Sequence, residues 1–142
     1  MATRSAIGIE VDGKIIAAHC HWDGYLENNG EILFKHYQNP EKILKLVSFG
    51  NMSSLGSEVE PAAGVSHSFD KKAENVTVYY GRDRGEDGVE SRTFNTRDEM
   101  IAWYSDAEYF YLWTNKHWIY SQGRSWADLG SALESIEVER DE

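Results

Sequence analysis

Ile7, Ile9 and Val11 alternate with Gly8 and Glu10 near the start of the chain, a period of two that predicts a half-buried strand. Asp12-Gly13 follows. Both central residues of a type I′ turn need positive φ, so this pair predicts a hairpin. The returning strand is expected over 14–21, with Ile16, Ala18 and Cys20 on one face. Its other face carries Ile15, Ala17, His19 and His21, and ends in two imidazoles that project the same way.

After Gly30 the apolar spacing becomes helical, through Ile32, Leu33, His36 and Tyr37. Asn39-Pro40 restarts the helix, Asn39 as N-cap and Pro40 at the first helical position. Ile43, Leu44, Leu46 and Val47 supply its apolar face and Gly50 its stop. Residues 51–75 are rich in Ser, Gly, Ala and acids and read as a long loop, of a length that tends to be functional or mobile. Residues 76–80 predict a strand that runs into the polar, glycine-punctuated stretch 81–88, and 90–94 predict another. Thr96-Arg97-Asp98-Glu99 is a capping-box sequence heading a helix with Met100, Ile101, Trp103 and Tyr104. Residues 109–113 and 118–120 predict a second hairpin, dense in rings. Ser125 with Asp128 marks the start of a last helix carrying Trp126, Leu129, Leu133 and Ile136.

Strands and helices do not alternate regularly. The pattern therefore predicts an α+β domain on an antiparallel sheet of about five to six strands, with N- and C-terminal hairpins and three to four short helices. The chain, 1–142, reads as one domain whose acidic tail, 137–142, is expected to fray.

Composition narrows the function classes. Five Trp and eight Tyr are too many rings for a disordered chain. A net charge of −10 argues against general nucleic-acid binding, which needs a basic surface. It suits either simple solubility or a protein that imitates nucleic acid to occupy a host enzyme, and it leaves room for a local basic pocket. Cys20 is the single cysteine, so no intramolecular disulfide forms, and at the end of an apolar strand it reads as core filler before nucleophile. No basic-then-apolar leader and no membrane-length run is seen, so a cytosolic protein is expected, without a cofactor.

The densest chemistry lies in Cys20-His21-Trp22-Asp23-Gly24-Tyr25, followed by Asn28-Asn29-Gly30 and His36-Tyr37, at a strand exit where loops present function. His19, His21 and Asp23, with His36 or His67, form a weak metal candidate, unsupported by any Cys pair or His-x-x-x-His. The competing reading has these histidines hydrogen-bonded at a strand edge or stacked on Trp22 and Tyr25. Gly81 and Gly85 bracket Arg82 and Arg84, and Arg4, Lys14 and Arg92 come from expected neighbouring strands. Arginine forks and glycine amides suit an anion, with Trp22, Tyr25, Tyr79, Tyr80 or Tyr111 to stack on a base. This is no P-loop, and the competing reading is a solvated turn in which the arginines pair with Asp83, Glu86 and Asp87. No Gly-x-Ser-x-Gly elbow occurs, and carboxylate pairs are decided by spatial separation, so turnover is not expected. The rings from Trp103 to Trp126 either point outward, as a patch for a homodimer or larger assembly, or lie beneath the 51–75 loop.

Thr3-Arg4-Ser5-x-Ile7-x-Ile9-Glu10, Cys20-His21-Trp22-Asp23-Gly24-Tyr25, Asn29-Gly30, Leu33, His36-Tyr37, Lys42, Leu46, Gly50 and Ser53-Ser54-Leu55-Gly56 together resemble a family of small proteins of tailed bacteriophages and prophages. The likeness resumes at Tyr80-Gly81-Arg82-Asp83-Arg84-Gly85 and in the aromatic hairpin ending near Tyr120, while Leu26 stands where the pattern leads one to expect proline. The resemblance implies an accessory protein of the host cytoplasm that blunts host defences, commonly by binding without turnover. The leading expectation is a counter-defence protein that sequesters a small anionic, nucleotide-type ligand. Arg4, His21, Trp22, Asp23, Tyr25, Tyr80, Arg82 and Arg84 are its expected binding residues. An acidic inhibitor that binds a host enzyme or defence complex is the alternative, and a metal-dependent hydrolase the third.

Overall fold

The computed structural model describes residues 2–141, with side chains to Glu137. The fold is α+β, with eight strands in one sheet and four α-helices. β1 (Ser5–Val11) and β2 (Lys14–Cys20) form the expected hairpin, turned by Asp12 at φ 51° and Gly13 at φ 78°. A π-helical turn over Leu26–Gly30 leads into α1 (Glu31–His36) and α2 (Pro40–Ser48). Then come β3 (Met52–Ser54), β4 (Val78–Tyr79), β5 (Arg92–Phe94) and α3 (Arg97–Trp103). The aromatic hairpin is β6 (Tyr109–Thr114) and β7 (His117–Ser121), followed by β8 (Trp126–Asp128) and α4 (Leu129–Asp141).

The strand order is β4-β3-β2-β1-β6-β7-β8, with β5 pairing along β2 beside β3. The sheet is mixed, where the sequence pattern suggested an antiparallel one: β1 runs parallel to β6 and β2 parallel to β3. Tight turns reveal only antiparallel neighbours, whereas parallel pairing joins segments distant in sequence, such as Ile7 beside Tyr111. The extra strands, β3 and β8, have three residues each, too few to print an alternation.

Helix ends follow from local chemistry. Asn39 Oδ1 accepts the Glu41 N–H at 2.8 Å and Thr96 Oγ1 accepts the Glu99 N–H at 3.2 Å. Glu99 reaches back to the Asn95 N–H, one residue ahead of the cap, at 3.3 Å. The last helix starts later than expected. Asp128 Oδ2 accepts both the Ser131 N–H and its hydroxyl at 2.9 Å, and Trp126 belongs to β8. The backbone of the acidic tail continues α4 to Asp141; Glu142 lies outside the described residues.

The sheet is covered on both faces. Ile7, Ile9, Ala18, Cys20, Tyr111, Trp113 and Trp118 meet Leu33, Tyr37, Ile43, Leu46, Leu129 and Leu133 of α1, α2 and α4. Ala6, Ile15, Ala17, Phe110, Leu112 and Ile119 meet Met100 of α3. The rings of β6 and β7 are thus core, roofed chiefly by helices; Trp118 is 1% exposed and its Nε1–H donates to Tyr37 O at 2.8 Å. The outward aromatic patch that motivated a homodimer does not form on this hairpin. No helix among the described residues is long and apolar enough to cross a membrane.

Candidate functional site

The Cys20–Tyr25 segment is tied down on every side. The His21 and Trp22 N–H groups donate to Met52 O and Ser53 O, each at 3.0 Å, extending the ladder toward β3. Asp23 then turns the chain at φ 54°. The Gly24 N–H donates to Thr3 O at 2.8 Å, and a Cβ here would stand 2.7 Å from Ser5 Cβ, so the close approach requires glycine. Tyr111 OH donates to Gly24 O at 2.6 Å. From the π-helical turn, buried Asn29 Nδ2 donates to Ser5 Oγ at 3.2 Å and lies 3.5 Å from both Cys20 Sγ and Trp22 O. A π turn often marks a functional position; here it sets Asn29 into a buried polar knot. Burial pushes the Cys20 thiol up to about 12, so it holds its proton at neutral pH and is no nucleophile. Toward solvent this segment presents Trp22, edge-on to His21 at 4.8 Å, and Tyr25.

Of the arginines expected to bind the anion, Arg82 is held inside the fold. Arg82 Nε donates to Asp83 Oδ1 at 2.9 Å, and Nη2 reaches Asp83 Oδ2 at 3.1 Å and Thr77 O at 2.9 Å. Its Nη1 donates to Val59 O at 2.6 Å, and the guanidinium stacks 4.6 Å from the Tyr79 ring. Asp83 Oδ2 also accepts the Tyr79 N–H at 2.8 Å. Burial works against its charge, but the Arg82 hydrogen bonds and the Tyr79 amide prevail and hold the carboxyl below its usual range. Beside it, buried His67 accepts the Ala73 N–H at Nδ1, at 2.9 Å, which places the proton on Nε2. That nitrogen lies 3.3 Å from Asp83 Oδ2, off the hydrogen-bond axis. Arg82, Asp83 and His67 are thus a strut that fixes the 51–75 loop. Arg84 pairs with Glu86 at 3.5 Å and stands over Phe69 at 4.9 Å, while Tyr80 packs on Phe69 at 5.8 Å.

Arg4 lies elsewhere, its Nε 3.6 Å from Asp106, whose same oxygen is 3.5 Å from His19 Nε2. Burial lowers the His19 pKa against the pull of Asp106. Among the described residues no group of three or more His, Cys, Asp or Glu side chains is placed to hold a metal ion. His19 faces Asp106, His67 faces Asp83 and His36 stands apart from both. Of Arg4, His21, Trp22, Asp23, Tyr25, Tyr80, Arg82 and Arg84, none lines any of the four clefts described.

The two larger features flank α1. On one side Glu31, Phe34 and Lys35 face Asp128, Gly130, Ser131, Leu133, Glu134 and Glu137 across a groove of about 460 Å³. Phe34 packs so closely on Gly130 that a Cβ there would stand 2.9 Å from the ring. Asp128 is ionised, its pKa lowered by the Ser131 N–H and hydroxyl. On the other side Ile32 and His36 line a cleft of about 510 Å³ with Ser54, Leu55, Gly56, Ser57, Lys72, Ala73, Asn75, Val76 and Val78. Both have the size of ligand sites. The split follows from helical spacing, since 31, 34 and 35 share one side of the helix and 32 and 36 the other. That much was readable from the sequence; the distant partners were not. The chain matches no protein-family model, no curated protein and no solved structure.

Proposed function

We propose that this is a binding protein without turnover, which engages a basic partner protein through the groove between α1 and α4. One observation carries the reading. Phe34 and Leu133 give the groove an apolar floor, while Glu31, Asp128, Glu134 and Glu137 rim it against a single lining cation, Lys35. An apolar anchor inside a ring of one charge sign fits a segment that carries lysines or arginines around a hydrophobic residue. The net charge of −10 draws such a partner in from solution. In the accessory role that the phage resemblance implies, the partner is a host protein, and its occupation is the effect.

This reading takes precedence over nucleotide sequestration at the 81–85 turn, because four of the five Arg82 N–H donors are already engaged by Val59, Thr77 and Asp83. The test is fluorescence anisotropy with labelled peptides that place Leu or Phe between basic residues. Saturable binding that weakens with salt is expected, and Glu134→Lys with Glu137→Lys should reduce affinity roughly tenfold, the effect of turning exposed attractions into repulsions. Peptide binding indifferent to the double reversal would sink the proposal, as would no binding at all.

A further inference from the structure

We infer a second binding site, across α1 from the groove, for a small organic anion: a phosphate ester or carboxylate with a compact apolar body. It does not rest on the protein-binding reading.

Several donors around this cleft have no partner among the described residues. The residues lining the cleft include His36, Lys72, Ser54, Ser57 and Asn75, which carry an imidazole, an ammonium, two hydroxyls and an amide. Among the described residues, these side chains make no hydrogen bond or ion pair within the chain, and Lys72 only overlooks the Phe69 ring at 5.4 Å. Arg82 and Asn29, by contrast, spend their side-chain donors inside the fold. No carboxylate lines the cleft, in a chain with 24 acidic residues. Glu58 and Glu74 follow lining residues in the chain but are not among them. An ammonium, an imidazole, two hydroxyls and an amide without a carboxylate among the lining residues match an oxyanion.

The walls are also built before any ligand arrives. Lys42 Nζ donates to His36 O at 2.8 Å and to Ser57 O at 2.9 Å, tying one wall to the other and adding a positive charge behind them. Tyr37 OH donates to Gly56 O at 2.7 Å, and Thr77 Oγ1 accepts the Gly56 N–H at 3.0 Å. The third wall is pinned where His67 Nδ1 accepts the Ala73 N–H at 2.9 Å. A preformed site loses little entropy on binding. At about 510 Å³ the cleft exceeds a bare phosphate, and Ile32 and Val76 give it apolar surface, so the anion it fits carries an organic body.

The test uses the full chain labelled with ¹⁵N and three probes: phenyl phosphate, benzoate and uncharged phenol. Saturable amide shifts at Ile32, Ser57, Ala73 and Asn75 are expected with at least one anion and not with phenol. Tighter binding of phenyl phosphate identifies a phosphate ester as the ligand class, and tighter benzoate a carboxylate. Lys72 and His36 are exposed, so Lys72→Gln and His36→Gln should keep the wild-type spectrum while each weakens the preferred anion at least threefold, and together tenfold. Lys72→Met serves as a second variant should Lys72→Gln alter the fold. Shifts confined to other arginines or lysines, absence of saturation with both anions, or unchanged affinity in the double variant would each overturn the inference.

Discussion

Toward α4, helix α1 turns Phe34 and takes part in a rim of carboxylates; toward the 54–57 segment it turns Ile32 and His36 among hydroxyls, an amide and an ammonium. Six residues separate surfaces of opposite character. The difference teaches that a net charge of −10 says little about any one cleft, because helical spacing sorts neighbours in sequence onto opposite sides. A second contrast runs through the same region. Arg82, the most suggestive cation in the sequence, is locked into Val59, Thr77 and Asp83, whereas the plainer Lys72 is uncommitted.

The largest expected effect tests that second contrast. Arg82→Ala removes the strut and leaves the buried Asp83 carboxylate without its cation, at a cost on the order of 3 kcal/mol in urea unfolding. A variant as stable as wild type would mean that Arg82 is available for a ligand after all. Gly24→Ala should follow, at about 1–3 kcal/mol, since its Cβ meets Ser5 and Thr3 backbone or near-backbone atoms within 3 Å.

Acid titration sharpens the same point. Asp83 has a folded pKa below its unfolded one, so its contribution is complete above the unfolded value, near 4 for an ordinary aspartate, and is lost as pH falls through the lower folded value. Unfolding free energy measured from about pH 5 downward should fall less steeply in Asp83→Asn than in wild type. Equal slopes would remove Asp83 from the account.

The two sides of α1 are separated by a crossed experiment. Glu134→Lys with Glu137→Lys should weaken basic peptides roughly tenfold and leave phenyl phosphate untouched, while Lys72→Gln should do the reverse. Effects that spill across both ligands would show one continuous electrostatic surface in place of two sites. The smallest effect belongs to Arg84→Ala. Its exposed pair with Glu86 should be worth less than about 0.5 kcal/mol in the same unfolding assay, where a larger loss would give it a structural role like that of Arg82.

Much of the fold was legible wherever a local rule applied. Asp12-Gly13, Asn39-Pro40 and Thr96 mark turns and caps through interactions that span a few residues, and the structure has them. Parallel pairing was not, because Cys20 beside Met52 depends on a helical crossover and leaves no trace in either segment. The same limit governs the site. Whether a guanidinium is free depends on carbonyls such as Val59 O, 23 residues away, and a sequence motif names the side chain but not its partners. The structural roles of His67 and Asn29 are hidden in the same way, since their partners, the Ala73 N–H and Ser5 Oγ, are set by the fold of the loop and by β1.

The edge strands β4, β5 and β8 have only two or three residues each, and the sheet keeps the ring-rich β6 between β1 and β7. Sheet edges of that length expose too few N–H and C=O groups in a row to template another chain. The segment with the strongest tendency to recruit copies of itself is thus satisfied on both sides, and the short edges disfavour growth by strand addition. A contact between copies made by side chains would be separable by point substitution from the stability of the sheet.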